Sequence, residues 1–161
     1  MFKLSMTLAA AVLLAAPQIS LAGEAKPART ELERGRYLVQ IAGCNDCHTP
    51  GYAASDGKVA EREWLTGDQL GWQGPWGTTY AANLRAYFSR VSEAEWLQTA
   101  RTASYRPPMP SPILRDMADE DLRALYRFVR TLGPAGEAAP AYVPPGREPI
   151  GPVVRFPMPP G

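Results

Sequence analysis

Cys44-Asn45-Asp46-Cys47-His48 gathers the only histidine of the 161-residue chain and its only two cysteines into five positions. Two thiols separated by two residues, with an imidazole directly after, match the C-x-x-C-H spacing of covalent haem attachment. Each thiol can add to one vinyl group of the porphyrin, and the histidine is then placed to ligate the iron as proximal ligand. The same spacing occurs in some disulfide oxidoreductases and in fragments of zinc sites, so the flanking sequence has to discriminate.

Upstream of the motif, residues 1–22 have the layout of a secretory signal. Lys3 supplies the positive start, Leu8 to Ala16 is a short apolar run, and Ser20-Leu21-Ala22 offers small residues for cleavage. The run is too short to cross a hydrocarbon core, which needs roughly 20 apolar residues. The expected compartment is therefore the periplasm, with membrane contact only through a partner or an uncleaved signal. Loss of Lys3 with the leader leaves basic and acidic residues equal in number. A neutral chain without a basic patch argues against nucleic acid as a partner.

Downstream, three helices are predicted. Thr30 and Glu33 form a capping-box pattern before a helix from Glu31 to Ala42, with Gly35, Leu38, Val39 and Ala42 on one face. A glycine inside a helix costs about 1 kcal/mol relative to alanine, so Gly35 suggests close approach by another backbone. The expected partner is the last helix, Asp119 to Leu132, with Leu122, Leu125, Tyr126 and Val129 as its stripe and Gly133-Pro134 as its stop. Ser92 and Glu95 open a third helix reaching about Arg101.

Between these helices, Pro50 to Asn83 is rich in glycine turns interleaved with Trp64, Trp72, Trp76 and Tyr80. Such a loop can pack its aromatics on a flat apolar ligand or form an ordinary core. A domain of about 100 residues with three short helices has little core to spare, which favours a buried ligand. Arg101, Arg106, Arg115, Arg123, Arg127 and Arg130 are mostly expected on solvated helix faces, with one or two suited to a haem propionate. The division expected is a leader at 1–22, a linker at 23–29, a domain at 30–133 and a proline-rich tail at 134–161. Prolines in the tail disfavour helix and central strand, so it is expected to be extended, free or laid across this domain or a partner.

With His48 used, no second histidine is available to the iron. Methionine, lysine or an open position remain. Met109 lies in Arg106-Pro107-Pro108-Met109-Pro110-Ser111-Pro112, where prolines predict a stiff extended loop that would present the thioether preorganised. Met117 reads as packing before the last helix, and Met158 lies in the tail.

In these features the chain resembles the class I c-type cytochromes over about residues 30–133: a glycine-bearing first helix running into Cys44–His48, a Pro-Met-Pro loop, and a closing helix at Asp121-Leu122-Arg123-Ala124-Leu125-Tyr126. Gly77-Thr78-Thr79-Tyr80-Ala81-Ala82-Asn83-Leu84 is also similar to a stretch in cytochrome subunits of bacterial alcohol, aldehyde and gluconate dehydrogenases. Those subunits usually carry several haems, and this chain has one motif. The resemblance implies an all-α fold of three or more short helices wrapped around one covalently attached haem c, its iron held by His48 and Met109.

The implied function is electron transfer rather than catalysis: a periplasmic monohaem protein carrying single electrons between a redox donor and an acceptor. One alternative is a dedicated electron-accepting subunit of a periplasmic dehydrogenase, tied to it by the tail. Another is an open-site haem reactive to gases or peroxide, which the lack of a second histidine for acid–base work disfavours. Thiol–disulfide exchange lacks the surrounding βαβ pattern. For the second nitrogen of His48, the carbonyls of Pro50 and Pro75 are candidate acceptors.

Overall fold

A computed structural model describes residues 29–157. The expected leader, the linker up to residue 28 and Met158 lie outside the described residues. Among those described, six α-helices occur in chain order: α1 (Glu31–Ile41), α2 (Cys44–His48), α3 (Leu84–Phe88), α4 (Glu93–Thr102), α5 (Ser111–Asp116) and α6 (Asp119–Leu132). Three short strands stand beside them, β1 (Gly71–Gly74), β2 (Gly77–Tyr80) and β3 (Val153–Arg155).

Both predicted capping boxes form. The Thr30 and Ser92 hydroxyls accept from the backbone N–H of Glu33 and Glu95, whose carboxylates bond back to the cap residues. Each box satisfies two N–H groups that a helix start otherwise leaves unpaired. Gly35 lies against α6: a Cβ there would fall 2.6 Å from the Ala124 carbonyl carbon and 2.7 Å from Phe128 Cβ. The two helices cross at a distance only glycine allows.

Around that crossing, Val39, Trp64, Leu65, Phe88, Trp96, Leu122, Leu125, Phe128 and Val129 form one buried cluster. Full burial of side chains of this size contributes about 1.5–3 kcal/mol each. The Trp96 indole N–H donates to the Leu122 carbonyl at 2.9 Å, tying α4 to α6 inside the core. Arg85, on α3, is itself buried and donates to the carbonyls of Leu132 and Gly133 at the end of α6 and of Arg62. It closes the carbonyl end of the last helix with a cation, as the helix dipole favours.

At three places the structure adds to the sequence reading or departs from it. The prolines of residues 107–112 are expected to exclude a helix, yet α5 begins at Ser111. Pro112 occupies its first turn, where a missing N–H breaks no helical bond. The aromatic loop divides in two. Trp64 enters the core, edge-to-face with Tyr52 and Phe128, whereas Trp72 and Trp76 contact Phe156 of the tail. Finally, β1 and β2 form an antiparallel pair to which the tail adds β3 in parallel, an element absent from a purely helical reading.

The described part of the tail lies on the domain. Val143 exchanges two backbone bonds with Thr78 on the outer edge of β2, at 2.8 and 3.0 Å. About ten residues on, β3 covers the outer edge of β1, and the Phe156 N–H reaches the Gln73 carbonyl at 2.8 Å. The tail thus pairs with both edges of the hairpin; its prolines flank the paired residues, and Pro152 joins the ladder only through its carbonyl, which accepts from the Gly71 N–H at 2.9 Å.

Candidate functional site

Chain direction at the motif is set by Gly43. Its φ of +71° is a left-handed conformation that L side chains rarely adopt, and it ends α1 so that α2 restarts at Cys44. On this short helix Cys44 and Cys47 are three residues apart and Cys44 and His48 four apart, so all three share one face. The two cysteines are free thiols. Burial pushes the Cys44 thiol up to about 11 and raises that of Cys47 as well, with Asp46 adding to both. Protonated thiols are poor attackers of disulfides, which weighs against an exchange role.

His48 Nδ1 lies 2.7 Å from the carbonyl oxygen of Ala82. A carbonyl can only accept, so Nδ1 carries the proton and the neutral ring keeps its lone pair at Nε2. Burial lowers the pKa of His48, and the Ala82 bond opposes that shift only in part. The sequence points to the Pro50 and Pro75 carbonyls for this role. Ala82 takes it instead, because the chain between α2 and α3 folds back upon the motif.

That fold-back rests on three residues. Thr49, buried directly after the motif, accepts from the Leu65 N–H and donates to Asn45 Oδ1, both at 2.8 Å. Leu65, at φ +61°, offers its carbonyl to the Leu84 N–H at 3.0 Å. Gly67 donates to the His48 carbonyl at 2.9 Å, and a Cβ on it would lie 2.8 Å from the Asn83 nitrogen. Segments 65–67 and 81–84 are thereby welded to α2, and the Ala82 carbonyl is held against the imidazole.

Met109 sits in a turn closed by its own N–H on the Arg106 carbonyl at 3.2 Å. Its side chain is half-buried and, like that of Cys44, packs on the central core cluster. The Thr79 hydroxyl donates to the Pro107 carbonyl at 2.7 Å, fastening the turn to β2. Thr79 and Ala82 are three residues apart, so roughly 10 Å of extended chain joins the contact on the Met109 turn to the contact on His48. Met117 packs on the same core, as its position before α6 predicts.

Trp72 pairs with Thr79 across the hairpin and so shares its face of the sheet. Its indole N–H is buried without an acceptor. A buried donor of this kind is costly unless something satisfies it. The arginines suited to propionates are otherwise engaged in four cases: Arg101 with Asp119, Arg123 with Glu93, Arg127 with Glu31 and Glu93, and Arg130 with the Phe88 carbonyl. Arg106 stacks over the Tyr142 ring, 3.9 Å from its centroid.

Free thiols on one helix face, an imidazole with Nε2 uncommitted, a thioether on a fastened turn and an orphan indole donor are a donor set that fits a covalently attached haem. Among the described residues no three His, Cys, Asp or Glu side chains gather as a metal site, so the four donors of a structural zinc site are not assembled. Nor is any described helix long and apolar enough to cross a membrane.

Sequence reasoning missed the positioning roles of Ala82, Thr49 and Thr79; Trp72 it offered only as an aromatic to pack on a flat ligand, without its indole N–H. Ala82 acts through its backbone, which no side-chain type could mark. Thr49 was visible only as the residue following the motif.

No family model matches the chain, and no solved structure matches it. In an alignment of 120 residues that takes in 68% of the chain, it is 29% identical to one of the subunits of nicotinate dehydrogenase from Pseudomonas putida. The chain spans 9% of that protein's length. The similarity is thus to a portion of an oxidoreductase subunit.

Proposed function

We propose that the chain is a class I c-type cytochrome: it carries one haem c on Cys44 and Cys47, ligates the iron with His48 and Met109, and passes single electrons between redox proteins in the periplasm. The observation that carries this reading is the hydrogen bond from His48 Nδ1 to the Ala82 carbonyl, on the helix face that also bears the two thiols. When bound, the haem supplies a one-electron couple whose potential methionine ligation raises.

The protein's own residues would do the rest. Ala82 fixes the tautomer and orientation of His48, leaving Nε2 as the ligating atom. Thr49 and Gly67 keep that carbonyl in place. Thr79 holds the Met109 turn, so a sixth ligand is preorganised and the site needs little rearrangement when its charge changes. The unpartnered Trp72 N–H would be free to donate to a bound haem.

Similarity to part of a dehydrogenase subunit supports a second, narrower reading, in which the chain is dedicated to one periplasmic dehydrogenase and accepts its electrons. Both readings share a first test. The exported, mature protein should weigh more than its polypeptide by one haem and give a low-spin spectrum when reduced. Met109→Ala should keep the covalent haem and make the ferrous protein bind carbon monoxide. A colourless protein of polypeptide mass, or a Met109→Ala variant with an unchanged spectrum, would overturn the corresponding part of the proposal.

A further inference from the structure

We infer that the tail segment 135–143 is an internal positioning element for the Met109 turn, with Tyr142 as its contact residue. The inference rests on Met109 being an iron ligand, as proposed above.

Tyr142 is held at both ends. Its hydroxyl donates to the Trp76 carbonyl at 2.7 Å, and its ring lies so close to Gly77 that a Cβ there would come within 3.0 Å of Cε2 and the hydroxyl. Next in sequence, Val143 is locked to Thr78 by two backbone bonds. The ring fastened in this way carries the guanidinium of Arg106, the first residue of the Met109 turn. Thr79, next to Thr78, holds the Pro107 carbonyl of the same turn. The turn is therefore gripped at two successive residues, once by β2 and once by the tail, and the tail also braces β2 where it grips.

The tail reaches the proximal side as well. Asn83 Nδ2 donates to the carbonyls of Ala135 and Glu137, at 2.7 and 3.0 Å, and Asn83 directly follows the Ala82 carbonyl that accepts from His48. Gly136 packs so closely there that a Cβ would meet Thr66 Cβ at 2.8 Å. One stretch of chain thus touches the neighbourhoods of both proposed ligands. Its prolines, Pro140 before Tyr142 and Pro144-Pro145 after Val143, limit the freedom lost in holding it there.

The test uses full-length holoprotein and carbon monoxide as probe of an open sixth position. Tyr142→Leu removes the ring and the hydroxyl; Val143→Pro removes the N–H that bonds Thr78; Arg106→Gln removes the cation while leaving the tail's own bonds in place. Each should retain covalent haem, raise the rate of carbon monoxide binding to the ferrous protein roughly two- to five-fold and lower the reduction potential. Tyr142→Leu combined with Arg106→Gln should do no more than Tyr142→Leu alone, because Arg106 acts through that ring. Ile150→Ala, at a tail residue 93% exposed, serves as the control and should change nothing. If Met109→Ala opens the iron to carbon monoxide but the tail and Arg106 variants behave as the native protein, the positioning role is overturned and the ligand assignment stands. If Met109→Ala itself has no effect, the ligand assignment fails and the inference falls with it.

Discussion

Thr49 is the side chain on which the proximal half of the site turns, although it bears no chemistry of its own. Its hydroxyl both accepts, from Leu65, and donates, to Asn45, in a setting closed to water. Thr49→Val keeps the shape and strands the Leu65 N–H, an error worth about 1–3 kcal/mol when buried. Urea denaturation should show that loss, and Thr49→Ser, which keeps the hydroxyl, should lose clearly less. A Thr49→Val variant as stable as the native protein would mean that the hydrogen bond contributes nothing. Arg85 illustrates the same economy with a charge. A buried guanidinium is tolerated because its fork meets three backbone carbonyls at the end of α6 and in the loop before the hairpin.

At the scale of elements, the crossing of α1 on α6 sets the frame. α1 delivers the chain to Gly43 and hence to the thiols, while α6 supplies more of the buried core than any other helix. Gly35→Ala sets two terms against each other. Alanine favours the helix by about 1 kcal/mol. Its Cβ, however, would lie inside contact distance of backbone atoms of α6, and overpacking of that sort costs about 1–3 kcal/mol or more when helices must separate. Net destabilisation is expected, read as a lower urea midpoint with unchanged slope. A stabilised variant would show that the crossing has slack. The hairpin and the tail segments paired with it follow a different logic. They bury little apolar surface, and they are held by ladder bonds on both edges and by the Trp72–Trp76–Phe156 contacts.

The whole molecule is joined across its surface by carboxylate–arginine contacts. Arg34 forks onto Asp121 at 2.8 and 2.9 Å, linking α1 to α6, and Arg127 bridges Glu31 and Glu93, linking α6 to α1 and α4. The Arg34 hydrogen bonds hold the Asp121 carboxyl below its ordinary value, and the Thr30 and Ser92 caps do the same for Glu33 and Glu95. A carboxylate depressed by folding contributes stability that is complete above its unfolded pKa and disappears as pH falls through the folded one. Stability should therefore be level with respect to these groups through neutrality and decline below about pH 4. Asp121→Asn should be less stable near neutrality and show a shallower acid limb in urea midpoints taken from pH 7 to about pH 3. An acid limb identical to that of the native protein would remove Asp121 from the account.

Local signals were strong wherever structure depends on neighbours in sequence. Both capping boxes, the start of α1, the full extent of α6 and the meaning of Gly35 could be read from residue type and spacing, because a helix start or a stripe is decided within a few residues. The Cys44–His48 cluster was legible for the same reason: its three groups share one turn of helix. Tertiary structure alone decided which carbonyl His48 meets, which strand fastens the Met109 turn, and that the tail closes both edges of the hairpin. Each of those contacts ends on a backbone group of a segment tens of residues away. Every residue offers the same carbonyl and N–H, so no side-chain pattern announces them before the chain has folded.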